Sequence, residues 1–352
     1  MDKIPQEVLE AYGIDGIPVR ISPVHSGLIN DTWKLVSAEK QYIVQKINHI
    51  VFAEPELIDQ NVRIIANYLK QFKPGYYFIP PVQSLLGETM VLIGGEYYRL
   101  YPFLAESHTK MVVDTTAEAE QAAIQFGRFT AQFDRFDMKT LKVTIPFFHD
   151  LSYRYRQFLI SLTKANEKRL RSASALISTG KKYASLVAKY ETIVKNPEFR
   201  QRVTHHDTKI SNVLFDKDSK GLCVIDLDTL MPGYFISDVG DMMRTYLSPV
   251  SEEETDFSKI EVREDIYDSI VSGYLTEMHY SLTETEMLHF YYAGEYSIYL
   301  QAIRFLTDYL NDDVYYGSKY PAQNLNRAGN QFKLLEKFRD SSVKGSAQAK
   351  EL

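Results

Sequence analysis

Two short stretches carry the side chains best placed to do chemistry: HHDTKISNVLFD, from His205 to Asp216, and VIDLDT, from Val224 to Thr229. The first contains His-x-Asp-x-x-x-x-Asn, so Asp207 and Asn212 stand five residues apart with Lys209 between them. The second is an apolar strand that ends at Asp226. Phosphoryl transfer needs these groups: a carboxylate at the attacking hydroxyl, an amide oxygen on Mg2+, and a second carboxylate that bridges Mg2+ to the phosphates. Asp207 is the candidate base, Asn212 and Asp226 are candidate metal ligands, and Lys209 is a point charge for the transferred phosphate. The run Asp216-Lys217-Asp218-Ser219-Lys220-Gly221 also reads as the turn of a β-hairpin. Both readings hold if the site is carried on that hairpin.

The segment after Asp226 narrows the acceptor. Protein kinases place a long activation segment there, ending in Ala-Pro-Glu. Here DLDTLMPGYF leads directly to SDVGD (237–241) and a helix-like DMMRTYL, which leaves little room for a peptide platform. A small molecule is the expected acceptor. Asp238 and Asp241 resemble a second metal pair, but Asp238 is expected to cap the helix that begins there.

The rest of the chain must position these groups. The first hundred residues read as strands around one helix. VRIS (19–22) and DTWKLVS (31–37) flank the loop HSGLIN (25–30), where Gly27 and Asn30 are candidates for the nucleotide side. In the strand QYIVQKIN (41–48), Gln45 and Lys46 face opposite ways, so only one serves the nucleotide. Phe52, Leu57, Ile58, Val62, Ile65 and Leu69 follow at helical spacing. SLLGETMVLI and EYYRLYPFL are strands separated by Gly94-Gly95, a hairpin signal. Where EYYRLYPFL leaves the sheet, Tyr101 and Phe103 are candidates to bond adenine through their backbone.

From about residue 105 the pattern is helical. Phe126, Phe129, Phe133 and Phe136 form one core stripe, the basic region 153–196 reads as a solvated face, and SEEETDF (251–257) as a surface loop. Helices are expected to resume from about 238 to 312. The expected class is α+β, a two-lobed protein-kinase-like fold: a small antiparallel-sheet N-lobe over 1–104, a larger, mostly helical C-lobe over 105–340, and a frayed tail over 341–352.

Composition bounds the partners. The chain has 352 residues, a net charge of −6 and a pI near 5.8, which argues against a nucleic-acid backbone binder. Cys223 is the single cysteine, so no internal disulfide is possible and a reducing cytoplasm is the expectation. The start, MDKIPQEVLEAYGI, has no apolar signal-peptide core, and no run approaches a membrane span.

HHDTKISNVLFD with VIDLDT resembles the aminoglycoside phosphotransferase and choline kinase-like superfamily. Within it, GLINDTW (27–33), YIVQKIN (42–48), TIPFFHD (144–150), RFLTDYLNDDVYY (304–316) and KYPAQNLNR (319–327) are similar to the N-acetylhexosamine 1-kinase group. The resemblance implies ATP, Mg2+ and transfer of the γ-phosphoryl to the anomeric hydroxyl of an N-acetylated hexosamine. It also implies that Arg304 and Tyr315 contact the sugar. Leu28 and Thr245 stand at two further substrate positions, where the group often has His and an aromatic, respectively; the group tolerates Gln at position 45. Read from the residues alone, Arg304 is a cation in the apolar run IYLQAIRFL that needs a partner. Asp308, one turn on, and a sugar hydroxyl both qualify. Two other functions share these motifs: a kinase of another small alcohol, such as an amino alcohol, homoserine or an aminoglycoside, and a pseudokinase that binds without turnover.

Overall fold

A computed structural model describes residues 4–15, 19–24, 29–37 and 40–343. Gly27, Leu28 and tail residues 344–352 lie outside these. In chain order the first elements are α1 (Gln6–Ala11), β1 (Arg20–Pro23), β2 (Asp31–Val36), β3 (Gln41–Ile47), α2 (Pro55–Phe72), β4 (Met90–Ile93) and β5 (Glu96–Pro102). Then come α3 (Thr116–Ala131), α4 (Leu151–Lys164), α5 (Glu167–Ser172), α6 (Ser174–Lys182), α7 (Ser185–Lys195), β6 (Arg202–Thr204), β7 (Val213–Phe215), β8 (Gly221–Val224) and β9 (Met231–Gly233). Five helices complete the described residues: α8 (Phe235–Tyr246), α9 (Glu264–Met278), α10 (Glu284–Met287), α11 (Phe290–Leu310) and α12 (Gln323–Asp340). The last of these lies beyond the helical region expected from the sequence.

One compact unit comprises Met1–Met111, Arg135–Pro146 and Ser211–Pro232. Its antiparallel sheet has the order β1-β2-β3-β5-β4. Gly94 and Gly95 take φ 60° and 85°, the paired left-handed conformations that a two-residue hairpin turn demands. The strand expected over SLLGETMVLI is confined to β4. Ser84 instead opens a turn whose carbonyl accepts from Gly87 N at 2.9 Å, while its hydroxyl accepts from the Leu86 and Glu88 N–H groups. Trp33, Leu35, Val44 and Leu100 pack with Val8 and Leu9 of α1 in one apolar cluster.

The buried Asn61 of α2 explains why two distant segments rejoin this unit. Its amide donates to the carbonyls of Lys142 and Leu230 at 2.9 and 3.0 Å, and its oxygen accepts from Lys142 N. The β7–β8 hairpin is tied in through Phe215, whose N–H and C=O both pair with His108.

The second unit comprises Val112–Asp134, Phe147–Ile210 and Gly233–Leu352. The long helix α11 is its buried axis, flanked by α4, α8 and α12, while α3 packs on α9. A Cβ at Gly240 of α8 would meet the Ala293 carbonyl at 2.3 Å, so only glycine lets α8 approach α11 this closely. Phe126, Phe129 and Phe133 are buried here. Phe136 departs from the expected stripe: it lies beyond the end of α3 and meets Tyr68 edge-on in the first unit. The first residues of the expected frayed tail are docked, with Val343 buried and Ser342 N donating to Glu264 at 2.9 Å.

Candidate active site

In the strand-bearing unit, the β7–β8 hairpin positions the candidate metal ligands. Val213 pairs with Val224 and Leu214 with Cys223, and Ile225 N donates to the Asn212 carbonyl at 2.9 Å. Asn212 enters the hairpin and Asp226 leaves it, so both stand at its open end. Asp226 takes φ 63°, a left-handed conformation costly for a non-glycine residue and concentrated at functional sites.

Behind this pair lies a polar network that sequence reasoning missed. Asp228 is buried, with Oδ1 2.5 Å from Arg99 Nη2 and Oδ2 accepting from Asn30 Nδ2 at 2.7 Å. Arg99 Nε donates to Gln45 Oε1 at 3.0 Å, and Asn30 Oδ1 accepts from Asn48 N at 3.0 Å. Burial disfavours the Arg99 charge, but Asp228, Tyr101 and Asp226 outweigh it and hold the guanidinium above its ordinary basicity. Removing one partner of such a buried pair costs about 3–5 kcal/mol. Thus Gln45 shares its sheet face with a cation supplied by the neighbouring strand, directly opposite in register. Lys46 lies on the other face, 3.6 Å from Asp31 and 3.9 Å from Glu96. The signal for Arg99 was a charge inside EYYRLYPFL, legible only once that strand is paired with QYIVQKIN.

The adenine candidates are partly committed. Phe103 N already donates to the Gln41 carbonyl at 2.9 Å, and Lys34 Nζ sits 3.5 Å from the Phe103 ring centroid. The Phe103 N–H is therefore already paired within the sheet. Tyr101 is the last but one residue of β5, and burial pushes its phenol up to about 12.

In the helical unit, α8 grips the loop that bears Asp207. Asp238 Oδ1 and Oδ2 accept from the N–H groups of His206 and His205 at 2.8 and 3.1 Å. Asp241 Oδ2 accepts from Thr208 N at 2.9 Å, Thr208 Oγ1 donates to the Asp238 carbonyl at 2.7 Å, and Tyr246 OH donates to the Thr208 carbonyl at 2.6 Å. Asp238 is therefore not the cap of its own helix, as expected from the sequence. The helix begins at Phe235, three residues earlier, and the carboxylate anchors the loop instead. His206 is held at φ 65°, and a Cβ at Gly233 would meet its ring at 2.5 Å. Lys209 Nζ lies 3.2 Å from Asp207 Oδ2.

Burial pushes the Asp238 carboxyl up to about 6, against the N–H donors that favour the anion. Two opposite pH trends follow. The loop needs the ionised carboxylate, so kcat/KM is expected to fall below pH about 6. Stability runs the other way: the folded pKa lies above the ordinary 3.8, so the native state holds the proton more tightly, and this group lowers stability as pH rises from 3.8 to about 6. Rate profiles and thermal melts over this range, with Asp238→Asn for comparison, check both. An acid limb unchanged in Asp238→Asn assigns it to another group.

Next to this loop, Ser237 Oγ lies between the half-buried His149 and the buried His206, 2.5 Å from His149 Nδ1 and 2.7 Å from His206 Nδ1. A hydroxyl has one proton, so one of these rings must donate to it. Burial, then His206 and nearby arginines, hold His149 well below its ordinary pKa.

Arg304 is buried, and its guanidinium meets the Phe148, Tyr316 and Tyr315 rings at 5.0, 5.5 and 5.8 Å. It donates to Gln301 Oε1 at 3.1 Å and to Tyr315 OH at 3.4 Å. Asp308 is not its partner: that carboxylate accepts from Tyr315 N, Tyr316 N and Asn324 Nδ2, which shapes the loop bearing Tyr315. The Thr245 hydroxyl donates to the Asp241 carbonyl at 2.7 Å within its own helix, so its proton is not offered outward. The 251–257 segment is more than a surface loop, because Glu252 bridges Arg244 and Arg327.

A family model described as a phosphotransferase enzyme family matches residues 20–257. The chain belongs to that family. Solved structures extend the likeness over nearly the whole length. A microcompartment-associated aminopropanol kinase superposes with a TM-score of 0.64 at 16% identity, covering 96% of this chain and 97% of its own. A spectinomycin phosphotransferase in complex with ADP and spectinomycin gives 0.56 at 16% identity, with 98% and 97% covered. A choline kinase from Cryptosporidium parvum Iowa II gives 0.55 at 9%, with 97% and 96% covered. The fold is the protein-kinase-like α+β fold of the aminoglycoside phosphotransferase and choline kinase superfamily. Among the described residues, no helix is long and apolar enough to cross a membrane.

Proposed function

We propose that this phosphotransferase is an ATP- and Mg2+-dependent kinase that phosphorylates the anomeric hydroxyl of an N-acetylhexosamine-type sugar. The observation that carries the reading is in the helical unit: Asp207 on a loop anchored by Asp238 and Asp241, and a buried Arg304 that donates to the exposed Tyr315 hydroxyl. Asp207 accepts the proton of the attacking hydroxyl, and Lys209, now beside Asp207, offsets charge on the transferred phosphoryl group.

Asn212 and Asp226 suit Mg2+, which takes few protein oxygens and leaves its other positions to phosphates and water. Bound there, Mg2+ neutralises charge on the nucleotide's phosphates. The ADP held by a spectinomycin phosphotransferase of this fold supports the use of ATP, and we assign the nucleotide to the strand-bearing unit. There Asn30 and Arg99, the latter held by Gln45, fix the Asp228 side chain, two residues beyond Asp226. The partner is thus a small molecule, and a cytoplasmic kinase fits the lone, buried Cys223 thiol.

A substrate panel measuring ADP release tests this, with GlcNAc, GalNAc, galactose, choline, homoserine and kanamycin. Phosphorus NMR of the product is expected to show an acid-labile sugar 1-phosphate. A 6-phosphate, or choline or kanamycin outrunning every hexose, overturns the sugar 1-kinase reading.

A further inference from the structure

In unit 2, Arg154 and Arg304 lie near one another, and neither is ion-paired with a carboxylate of its own unit. Arg202, Arg244 and Arg327 are each paired with at least one carboxylate, in Glu286, Asp241 with Glu252, and Glu252 with Glu253, respectively. Arg263 turns onto the carbonyls of Val113, Tyr246, Leu247 and Ser248. Arg304, only 9% exposed, has one amide oxygen and one phenol. Arg154 has the Phe148 carbonyl, at 3.3 Å from both Nε and Nη2, and Gln157 Oε1 at 3.0 Å. Among the described residues neither has a carboxylate partner.

The two converge on one residue, since Arg154 binds the backbone of Phe148 while Arg304 lies over its ring. Their proximity registers chemically: burial and then the Arg304 charge lower the basicity of Arg154. The nearby acids are committed elsewhere. Asp308 holds the backbone of Tyr315 and Tyr316, Asp150 caps α4 at Tyr153 N, and Glu252 is shared by Arg244 and Arg327. Aromatic faces offset part of the Arg304 charge but accept none of its remaining N–H donors.

We infer that the acceptor sugar carries an oxyanion, a carboxylate or a phosphate, bound jointly by Arg304 and Arg154. The planar guanidinium fork matches both groups, and a charge-assisted hydrogen bond is roughly twice as strong as a neutral one. Arg154 becomes a specificity residue that no sequence motif indicated. The same two cations oppose choline and aminoglycosides. This rests on reading the surroundings of Arg304 and Tyr315 as the acceptor site.

The test titrates two neutral–acidic pairs calorimetrically without nucleotide: glucose against glucuronate, and N-acetylglucosamine against its 6-phosphate. At least one acidic member is expected to bind about tenfold tighter than its parent, the scale of one charge-assisted hydrogen bond. Arg154→Gln should erase that difference while leaving the neutral parent within about threefold, and Arg154→Lys should restore part of it. The arm that responds identifies carboxylate or phosphate as the source. Acidic probes that bind no tighter than their parents, or Arg154→Gln weakening both members of a pair equally, overturn the inference. ADP release is measured separately. Acidic binding without ADP release sinks the kinase reading and leaves the anion pocket standing, whereas turnover of neutral sugars with no acidic advantage does the reverse.

Discussion

Asp207→Asn is expected to lower kcat by at least about 10²-fold, the usual scale of a positioned general base, while the protein folds and binds nucleotide as before. The change is isosteric and removes only the charge and proton affinity. The loop should keep its shape, because its anchors are the backbone groups of His205, His206 and Thr208 on Asp238 and Asp241. Lys209 loses its carboxylate partner, but that pair is partly exposed and contributes little to stability. Steady-state rates with thermal melts separate the effects. A variant that melts like the parent yet keeps more than about a tenth of its kcat excludes Asp207 as the base.

The hairpin that carries the candidate site was legible because its logic is local. Asp207, Lys209 and Asn212 fall within six residues, and the two apolar triplets that follow form the hairpin they suggested. The antiparallel sheet, its glycine turn and α2 were readable for the same reason: period and punctuation are properties of neighbouring residues. What escaped were the pairings that span the chain. Asp238 looked like a helix cap because a helix does begin nearby, yet its partners lie 32 and 33 residues upstream. Arg99 was invisible until β5 lay beside β3 and Asp228 closed on it. Asp308 was one of two partners open to Arg304, by helical spacing, but the N–H groups of the 315–316 loop compete for it and win. In each case a buried polar group took the partner that the tertiary structure supplied, since leaving either group unpaired costs more than local geometry can return.

Asp226→Ala should abolish Mg2+-dependent nucleotide binding, and with it turnover. Asn212 and Asp226 stand at one end of the same hairpin, and only Asp226 brings a charge to the pair. A single neutral amide oxygen holds a hard, strongly hydrated dication poorly. The loss should be specific to the metal. Asp228, two residues on, remains locked to Arg99 and Asn30, so the hairpin end keeps its frame without the Asp226 carboxylate. Alanine at φ 63° is strained, so a modest drop in melting temperature is expected as well. Asp226→Asn keeps side-chain volume and one oxygen, and separates strain from charge. Calorimetric titration of ATP with and without Mg2+ reads the result. The parent should gain affinity with Mg2+ and both variants should not. If Asp226→Asn binds Mg2+·ATP as tightly as the parent, the carboxylate is a turn residue and the metal is held elsewhere.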